Sequence, residues 1–241
     1  MEEGSSGVSC RGCASTYAIR DGILDMLGDD AGEVITPFQR IMQSPLVVSI
    51  YESIWRKLGY FIASSRSFRK ELATVLLLHR DKDSSRVLDL ACGPGVFTRP
   101  LARQSSGVVV GLDLSRPMLR HARKVISRTA LRNVVLVRGS AFRLPFADGV
   151  FTYVNCCGAL HLFNNPDQAL AEIRRVLIPG GFMCVQTTLR PARSAGMAFL
   201  LERFIRFGFF EEQSLEQMLQ RHGFQRIMGE RHRISYTFLC K

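Results

Sequence analysis

The sequence predicts an α/β protein whose centre is a mostly parallel sheet. Three observations point there. From Arg86 onward, short β-type runs alternate with helical patterns, the trace that strand–helix–strand units leave in a sequence. The first run leads into a glycine turn, VLDLACGPGVFT over 87–98, at the sheet end where open α/β folds bind ligands. The last two runs are close enough to form an antiparallel hairpin at one edge.

The β runs are 86–91 (RVLDLA), 107–113 (GVVVGLD), 133–138 (NVVLVR), 150–155 (VFTYVN) and 182–188 (FMCVQTT). Helices are expected between them at 96–104, 116–128 and 167–177. The helix 116–128 has Ser115 as its cap and a proline in its first turn, a favourable opening. Its apolar positions 118, 119, 122, 125 and 126 follow helical spacing. Arg116, Arg120, Arg123, Lys124 and Arg128 lie on the other side and read as an exposed face. After 182–188 come an irregular stretch, an apolar amphipathic helix near 194–208, a helix at 212–221, and the runs 224–231 and 234–240. Upstream, Ser44 caps and Pro45 starts a helix over 45–62, and another spans 66–79. Tyr51, Trp55 and Phe61 on the first of these read individually as core.

The segment 10–27 is different. Cys10 and Cys13 have the spacing of half a tetrahedral metal site, but no second pair precedes them. No closed zinc site and no other metal is expected. The domain reading is a ribbon remnant or irregular segment over 1–30, a helical lid over 31–65, and a ligand-binding domain over 66–241 with a lid insertion at about 190–211.

The 241 residues and 46% hydrophobic content suffice for one substantial core. No segment reaches the ~20 apolar residues of a membrane span, and the N-terminus lacks the pattern of a secretory signal. A cytoplasmic protein is expected. Cys92, Cys156, Cys157 and Cys184 sit in apolar contexts and read as reduced core thiols. The net charge of +11 is unevenly placed: zero over 1–86 (11 basic, 11 acidic), +7 over 87–189 (12 and 5) and +4 over 190–241 (9 and 5). Such a balance suits RNA, acidic substrates, an anionic surface, or simply a solvated exterior.

The glycine turn narrows the chemistry. A dinucleotide site wants a third glycine, absent from Gly93-Pro94-Gly95-Val96-Phe97-Thr98, and a P-loop wants a lysine that is also missing. Pro94 removes one of the amides that would cradle phosphate. Asp89, inside the preceding strand, is placed for a polar, cationic group. Asp113 ends the next run, where an acid accepts ribose hydroxyls. Ala141 and Phe142 follow the third run, where a small residue beside an aromatic can sandwich a base. A phosphate-free nucleoside with a positive centre is S-adenosylmethionine.

Together, VLDLACGPGVFT, GLDLSRPMLRHAR, GSAFRLPFADGVFTYVNCCGALHLFNNP and ALAEIRRVLIPGGFM resemble the class I S-adenosylmethionine-dependent methyltransferases over about 66–189. The stretch VITPFQRIMQSPLVVSIYESIW, with CRGC before it, looks like a subgroup of uncharacterised bacterial and plastid-type methyltransferases carrying a small cysteine ribbon. The resemblance implies a Rossmann-like seven-stranded sheet, ordered 3-2-1-4-5-7-6, with its last strand antiparallel and helices on both faces. It implies that Asp89, Ala91, Cys92, Gly93 and Gly95 surround the methionine part of the cofactor. Asp113 would hold the ribose, Leu114 and Met118 would flank the adenine, and Ala141 and Phe142 would contact it. Asn155 and Cys156 would approach the methionine end. Two departures from the family pattern are Ser140, where an acid commonly accepts from the adenine amino group, and Thr152, where Asp is common.

Methyl transfer needs alignment more than acid–base help, and a base only if the acceptor must lose a proton. His161 is the candidate base, with Tyr51 second. The leading expectation is methylation of O, N or C on a small molecule, a specialised metabolite or lipid-like compound, beneath a lid built from 45–62 and 194–208. Alternatives are a ribosomal or transfer RNA base methyltransferase and a cofactor-binding protein without turnover. The sequence leaves the acceptor and the oligomeric state open.

Overall fold

Ten strands share one sheet in the computed structural model, which describes residues 7–9, 14–27, 36–51, 54, 56–80, 86–191, 199–205 and 207–241. In chain order they are β1 (Gly7–Ser9), β2 (Thr16–Arg20), β3 (Ile23–Asp25), β4 (Arg86–Leu90), β5 (Val108–Asp113), β6 (Val134–Arg138), β7 (Phe151–Cys157), β8 (Leu177–Thr188), β9 (Arg226–His232) and β10 (Ser235–Cys240). The sheet order is β1-β2-β3-β6-β5-β4-β7-β8-β10-β9. Counted from β4, the last seven strands have the expected order 3-2-1-4-5-7-6. β4 to β8 pair in parallel, and β10 runs antiparallel to both of its neighbours.

The strand count corrects the sequence reading, which gives seven. The three additional strands lie within 1–30, read above as a ribbon remnant or an irregular segment. β1, β2 and β3 form an antiparallel meander, and β3 joins β6 in parallel through Leu24 opposite Val137 and Asp25 opposite Arg138. The turn between β2 and β3 is Asp21-Gly22, with φ of 56° and 71°. Two consecutive positive φ values are what a two-residue type I′ hairpin requires, and Asp-Gly supplies them at least cost. Cys10 and Cys13 lie outside the described residues.

Helices cover both faces. They are α1 (Pro37–Met42), α2 (Pro45–Ile50), α3 (Arg56–Ser64), α4 (Phe68–Arg80), α5 (Thr98–Gln104), α6 (Arg116–Ile126), α7 (Pro166–Val176) and α8 (Glu212–Arg221). Successive strand residues point to opposite faces, and the core divides accordingly. Val87, Val109, Tyr153 and Cys184 pack with Val75 of α4 and Leu101 of α5. Leu88, Leu90, Val154, Cys156 and Val185 pack with Leu170 and Ile173 of α7 and Leu215 and Leu219 of α8. Ser44, Ser115 and Asn165 cap α2, α6 and α7, each accepting from a first-turn amide. The expected helix 45–62 corresponds to α2 and α3. Trp55 lies outside the described residues, and Phe61 is exposed, contrary to its reading as core. Part of the basic face of α6 meets the added strands: Arg120 Nε pairs with Asp21 at 2.8 Å, and Arg116 pairs with buried Asp25.

Candidate active site

The glycine turn leaves β4 through three residues at positive φ: Ala91 (54°), Gly93 (54°) and Gly95 (81°). Gly95 donates its amide to the Cys92 carbonyl at 3.0 Å, and Cys92 donates to the Leu112 carbonyl at 3.0 Å. The turn is thereby fastened to the end of β5. Asp113 completes the fastening, with Oδ2 accepting from the Gly93 amide at 2.7 Å and Oδ1 from the Ser115 amide at 2.8 Å. The two glycines do different jobs. A Cβ on Gly95 would stand 3.4 Å from the Ala122 methyl of α6, so this glycine faces helix packing. A Cβ on Gly93 would meet nothing within 4 Å, because it would point into open space.

That space is a cavity at the carboxyl ends of β4, β5 and β6. Gly93, Asp113, Leu114 and Met118 form one wall, and Ala141, Phe142 and Phe163 another; Met42, Gln43 and Tyr51 complete it from the N-terminal helices. Phe142 and Phe163 meet edge to face at 5.7 Å between ring centroids. Among the described residues that line it there is no lysine or arginine, which disfavours a phosphate-bearing ligand. Burial holds the Asp113 carboxyl above its usual range, against the opposing pull of the Ser115, Gly93 and Leu114 amides. An ionised carboxylate offers about four lone pairs, so acceptor capacity remains for a ligand's hydroxyl.

A second cavity adjoins the first, sharing Met42, Tyr51, Gly158 and Leu162 with it. Its other walls include Arg56, Tyr60, Ala63, His161, Gln186 and Phe207. Arg56 Nη2 donates to Glu71 Oε1 at 2.7 Å and to Gln186 Oε1 at 3.4 Å. His161 is buried, with Nδ1 3.4 Å from the Thr187 hydroxyl and its ring 4.9 Å from that of Phe207. Burial first, and the Arg56 charge second, push the imidazole down to about 3.

Comparison with known proteins gives this arrangement a family. Residues 88–185 match the family described as a methyltransferase domain. An uncharacterised chloroplastic methyltransferase of Arabidopsis thaliana is 34% identical over 198 residues, covering 77% of this chain and 55% of that protein. A demethylmenaquinone methyltransferase of Lactiplantibacillus plantarum is 40% identical over 131 residues, covering 53% of this chain and 54% of that protein. The chain thus spans about half the length of these two relatives. A provisionally assigned methyltransferase from Bacillus halodurans superposes with a TM-score of 0.62 at 27% identity, over 67% of this chain and 71% of that one. Residues 88–185 are a methyltransferase domain of the class I S-adenosylmethionine-dependent kind. Its turn, cavity and sheet order fit the nucleoside of that cofactor: Gly93 leaves room that any side chain would fill, and Asp113 keeps acceptor capacity for a ribose.

In this chain the expected site residues separate into two groups. Ala91, Gly93, Asp113, Leu114, Met118, Ala141, Phe142 and Tyr51 line the first cavity. Asp89, Cys92, Gly95, Ser140, Asn155 and Cys156 do not. Asp89 is buried behind the turn, with Oδ2 accepting from the Thr98 hydroxyl at 2.6 Å and Oδ1 from the Asn155 amide at 2.7 Å. Burial lifts its carboxyl to about 6, against those two bonds. Asp89 thus ties α5 and β7 to the turn instead of facing the cavity. Asn155 faces Asp89 from the adjoining strand, where register sets the two side by side. Cys92 packs under α6 beside Leu119 and Ala122. Cys156 packs in the opposite core face, its thiol pushed up to about 12 by burial. The Ser140 hydroxyl accepts from the Phe142 amide at 3.0 Å, which fixes the turn that presents Phe142. His161 lies in the second cavity. Sequence reasoning missed Phe163, Gly158 and Arg56; of these only Gly158, following NCC at the end of β7, carried a local signal.

Proposed function

We propose that the chain transfers the methyl group of S-adenosylmethionine, held in the first cavity, to O, N or C of a small and largely apolar acceptor held in the second. The observation that carries this reading is the adjacency of the two cavities across Gly158 and Leu162. When bound, S-adenosylmethionine supplies a methyl on a sulfonium and leaves as a thioether. The protein's share is alignment and exclusion of water. Asp113 would hold the ribose hydroxyls. Leu114 and Met118 would lie against one part of the adenine, with Ala141 and Phe142 against another. Gly93 would let the turn approach the ligand, and Asp89 would keep the turn in place through Thr98 and Asn155.

His161 is proposed here as a neutral wall residue, not a base. A useful general base has a pKa near the working pH, and burial holds this one near 3. Tyr51 remains a protonated phenol, since burial raises it. α1 to α3 would form the lid, together with the segment near 199–205.

The apolar share of the second cavity, including Leu162 and Phe207, and the similarity to a protein named for demethylmenaquinone both support a lipid-like, ring-bearing acceptor. No described helix is long and apolar enough to cross a membrane. The test uses methyl-labelled S-adenosylmethionine with two acceptor pools, a solvent-extracted lipid and metabolite fraction and total RNA. Label should move into the extractable fraction. Label found in RNA instead would replace the small-molecule acceptor with a nucleic acid.

A further inference from the structure

Resting on the reading that the second cavity holds the methyl acceptor, we propose that Arg56 grips an anionic oxygen of that acceptor, a phenolate, enolate or carboxylate on an otherwise apolar molecule. The location is the first argument. Arg56 opens α3, and its guanidinium lies against Gly158 so closely that a Cβ there would stand 2.3 Å from Nη1. Gly158 borders both cavities, so the cation stands at the seam where cofactor and acceptor must meet. The group is also fixed. Nη2 is tied to Glu71 and Gln186, and the guanidinium carbon lies 5.6 and 5.4 Å from the ring centroids of Phe68 and Phe97.

The charge balance is the second argument. The plain alternative is a buried ion pair that serves only the fold. In such a pair each partner is paired and hydrogen-bonded throughout. Here Glu71 Oε2 has no hydrogen-bond partner among the described residues. Burial, opposed only in part by Arg56, lifts the Glu71 carboxyl to about 7, while arginine keeps its proton. Near neutral pH the carboxyl therefore offsets the guanidinium incompletely. Among the described residues lining this cavity there is no carboxylate, and Arg56 and His161 are the only basic ones. With His161 neutral, Arg56 is the one charged side chain among the described residues that line this cavity. A fixed, largely buried guanidinium fork is suited to oxygen anions, through short charge-assisted bonds. The Arg56 side chain is 14% exposed and that of Glu71 fully buried, so solvent screens the cation weakly.

The test pairs two probes of like shape and different charge, 2-naphthoate and 2-naphthamide. Both are titrated calorimetrically into the full chain, with and without saturating S-adenosylhomocysteine. The proteins are wild type, Arg56→Lys, and the double variant Arg56→Met with Glu71→Gln, which removes both charges together. Wild type should prefer naphthoate by about tenfold or more, the discrimination expected of a charge-assisted contact. Arg56→Lys should keep part of the preference, and the double variant should bind both probes alike while binding S-adenosylhomocysteine as wild type does. Lack of preference in wild type, or a preference retained by the folded double variant, overturns the proposal. If the double variant does not fold, Arg56→Lys decides: an undiminished preference contradicts a role for the fork. Failure of S-adenosylhomocysteine to bind wild type would remove the methyltransferase reading of the first cavity. The naphthoate comparison without it would still judge Arg56.

Discussion

Gly93 and Gly95 share one motif and one kind of backbone conformation, yet replacing each by alanine should have different consequences. Both lie in the left-handed region, with φ of 54° and 81°, where an alanine costs about 1–2 kcal/mol in the folded state. Part of that, about 0.4–1 kcal/mol, is offset because alanine restricts the unfolded chain. The remaining loss of about 1 kcal/mol corresponds to a fall of about 2–4 °C in Tm for a chain of this size. Ala91, at φ 54° in the same turn, shows that a methyl group is tolerated in this conformation. For Gly95→Ala the new methyl finds ordinary contacts, the nearest at 3.4 Å on Ala122. Cofactor affinity should then stay within about twofold, well under the tenfold that 1.4 kcal/mol represents. For Gly93→Ala the methyl enters the first cavity. Inserting one such group into a filled site costs about 1–3 kcal/mol, so S-adenosylhomocysteine affinity should fall about ten- to hundredfold. Thermal melting and calorimetric titration of both variants give the two readouts independently. A Gly93→Ala protein that binds like wild type would refute the assignment of that open space to the ligand.

Three further outcomes are expected. Asp113→Ala leaves the Gly93 and Ser115 amides without their acceptor; it should cost about 2–4 kcal/mol by urea unfolding, from two amide–carboxylate bonds, and abolish S-adenosylhomocysteine binding, whereas Asp113→Asn, whose single Oδ1 can accept from only one of the two amides, should recover no more than about half of the loss. His161 titrates near 3 when folded and near ~6.5 when unfolded, so its contribution is fully present above ~6.5 and is lost as pH falls toward 3, at up to about 1.4 kcal/mol per pH unit. His161→Phe should therefore flatten the acid limb relative to wild type between about pH 4 and 6; the opposing contributions of Asp89 and Glu71, whose carboxyls are raised by burial, are common to both proteins and cancel in the comparison. Asp25→Ala removes the carboxylate that pairs with Arg116 and with Arg138 at 3.2 Å; limited proteolysis should then remove the β1–β3 segment faster, while an unchanged cleavage rate would mean that Asp25 does not hold the meander to β6.

The central sheet was legible because β4, β5 and β7 are apolar runs that each lead to a helix, and two of those helices have recognisable starts, Ser115 before Arg116-Pro117 and Asn165 before Pro166. The added strands were not, although one signal lay in plain sequence. Asp21-Gly22 separates two short β-type runs by two residues, yet β3 is only three residues long, too short for a periodicity to register. The wall residues of the first cavity followed from the turn and the strand ends. Asp89, Asn155, Cys92 and Cys156 did not, because adjacency in the motif says nothing about which side of the sheet a side chain takes. Alternation decides that: Leu88 and Leu90 face the α7 side, so Asp89 faces α5 and Thr98. Arg56 was invisible for another reason. A basic residue on an amphipathic helix reads as solvated, and only the fold brings it to Glu71, Gln186 and Gly158.

The most direct measurement is a calorimetric titration of the wild-type chain with S-adenosylmethionine, set beside ATP and NAD at the same concentrations. A turn with one amide replaced by proline, a wall without basic side chains among the described residues and an acid at Asp113 predict saturable one-site binding of S-adenosylmethionine and none of the phosphate-bearing ligands. A folded protein that ignores S-adenosylmethionine, or that binds ATP or NAD more tightly, would contradict the assignment of the first cavity.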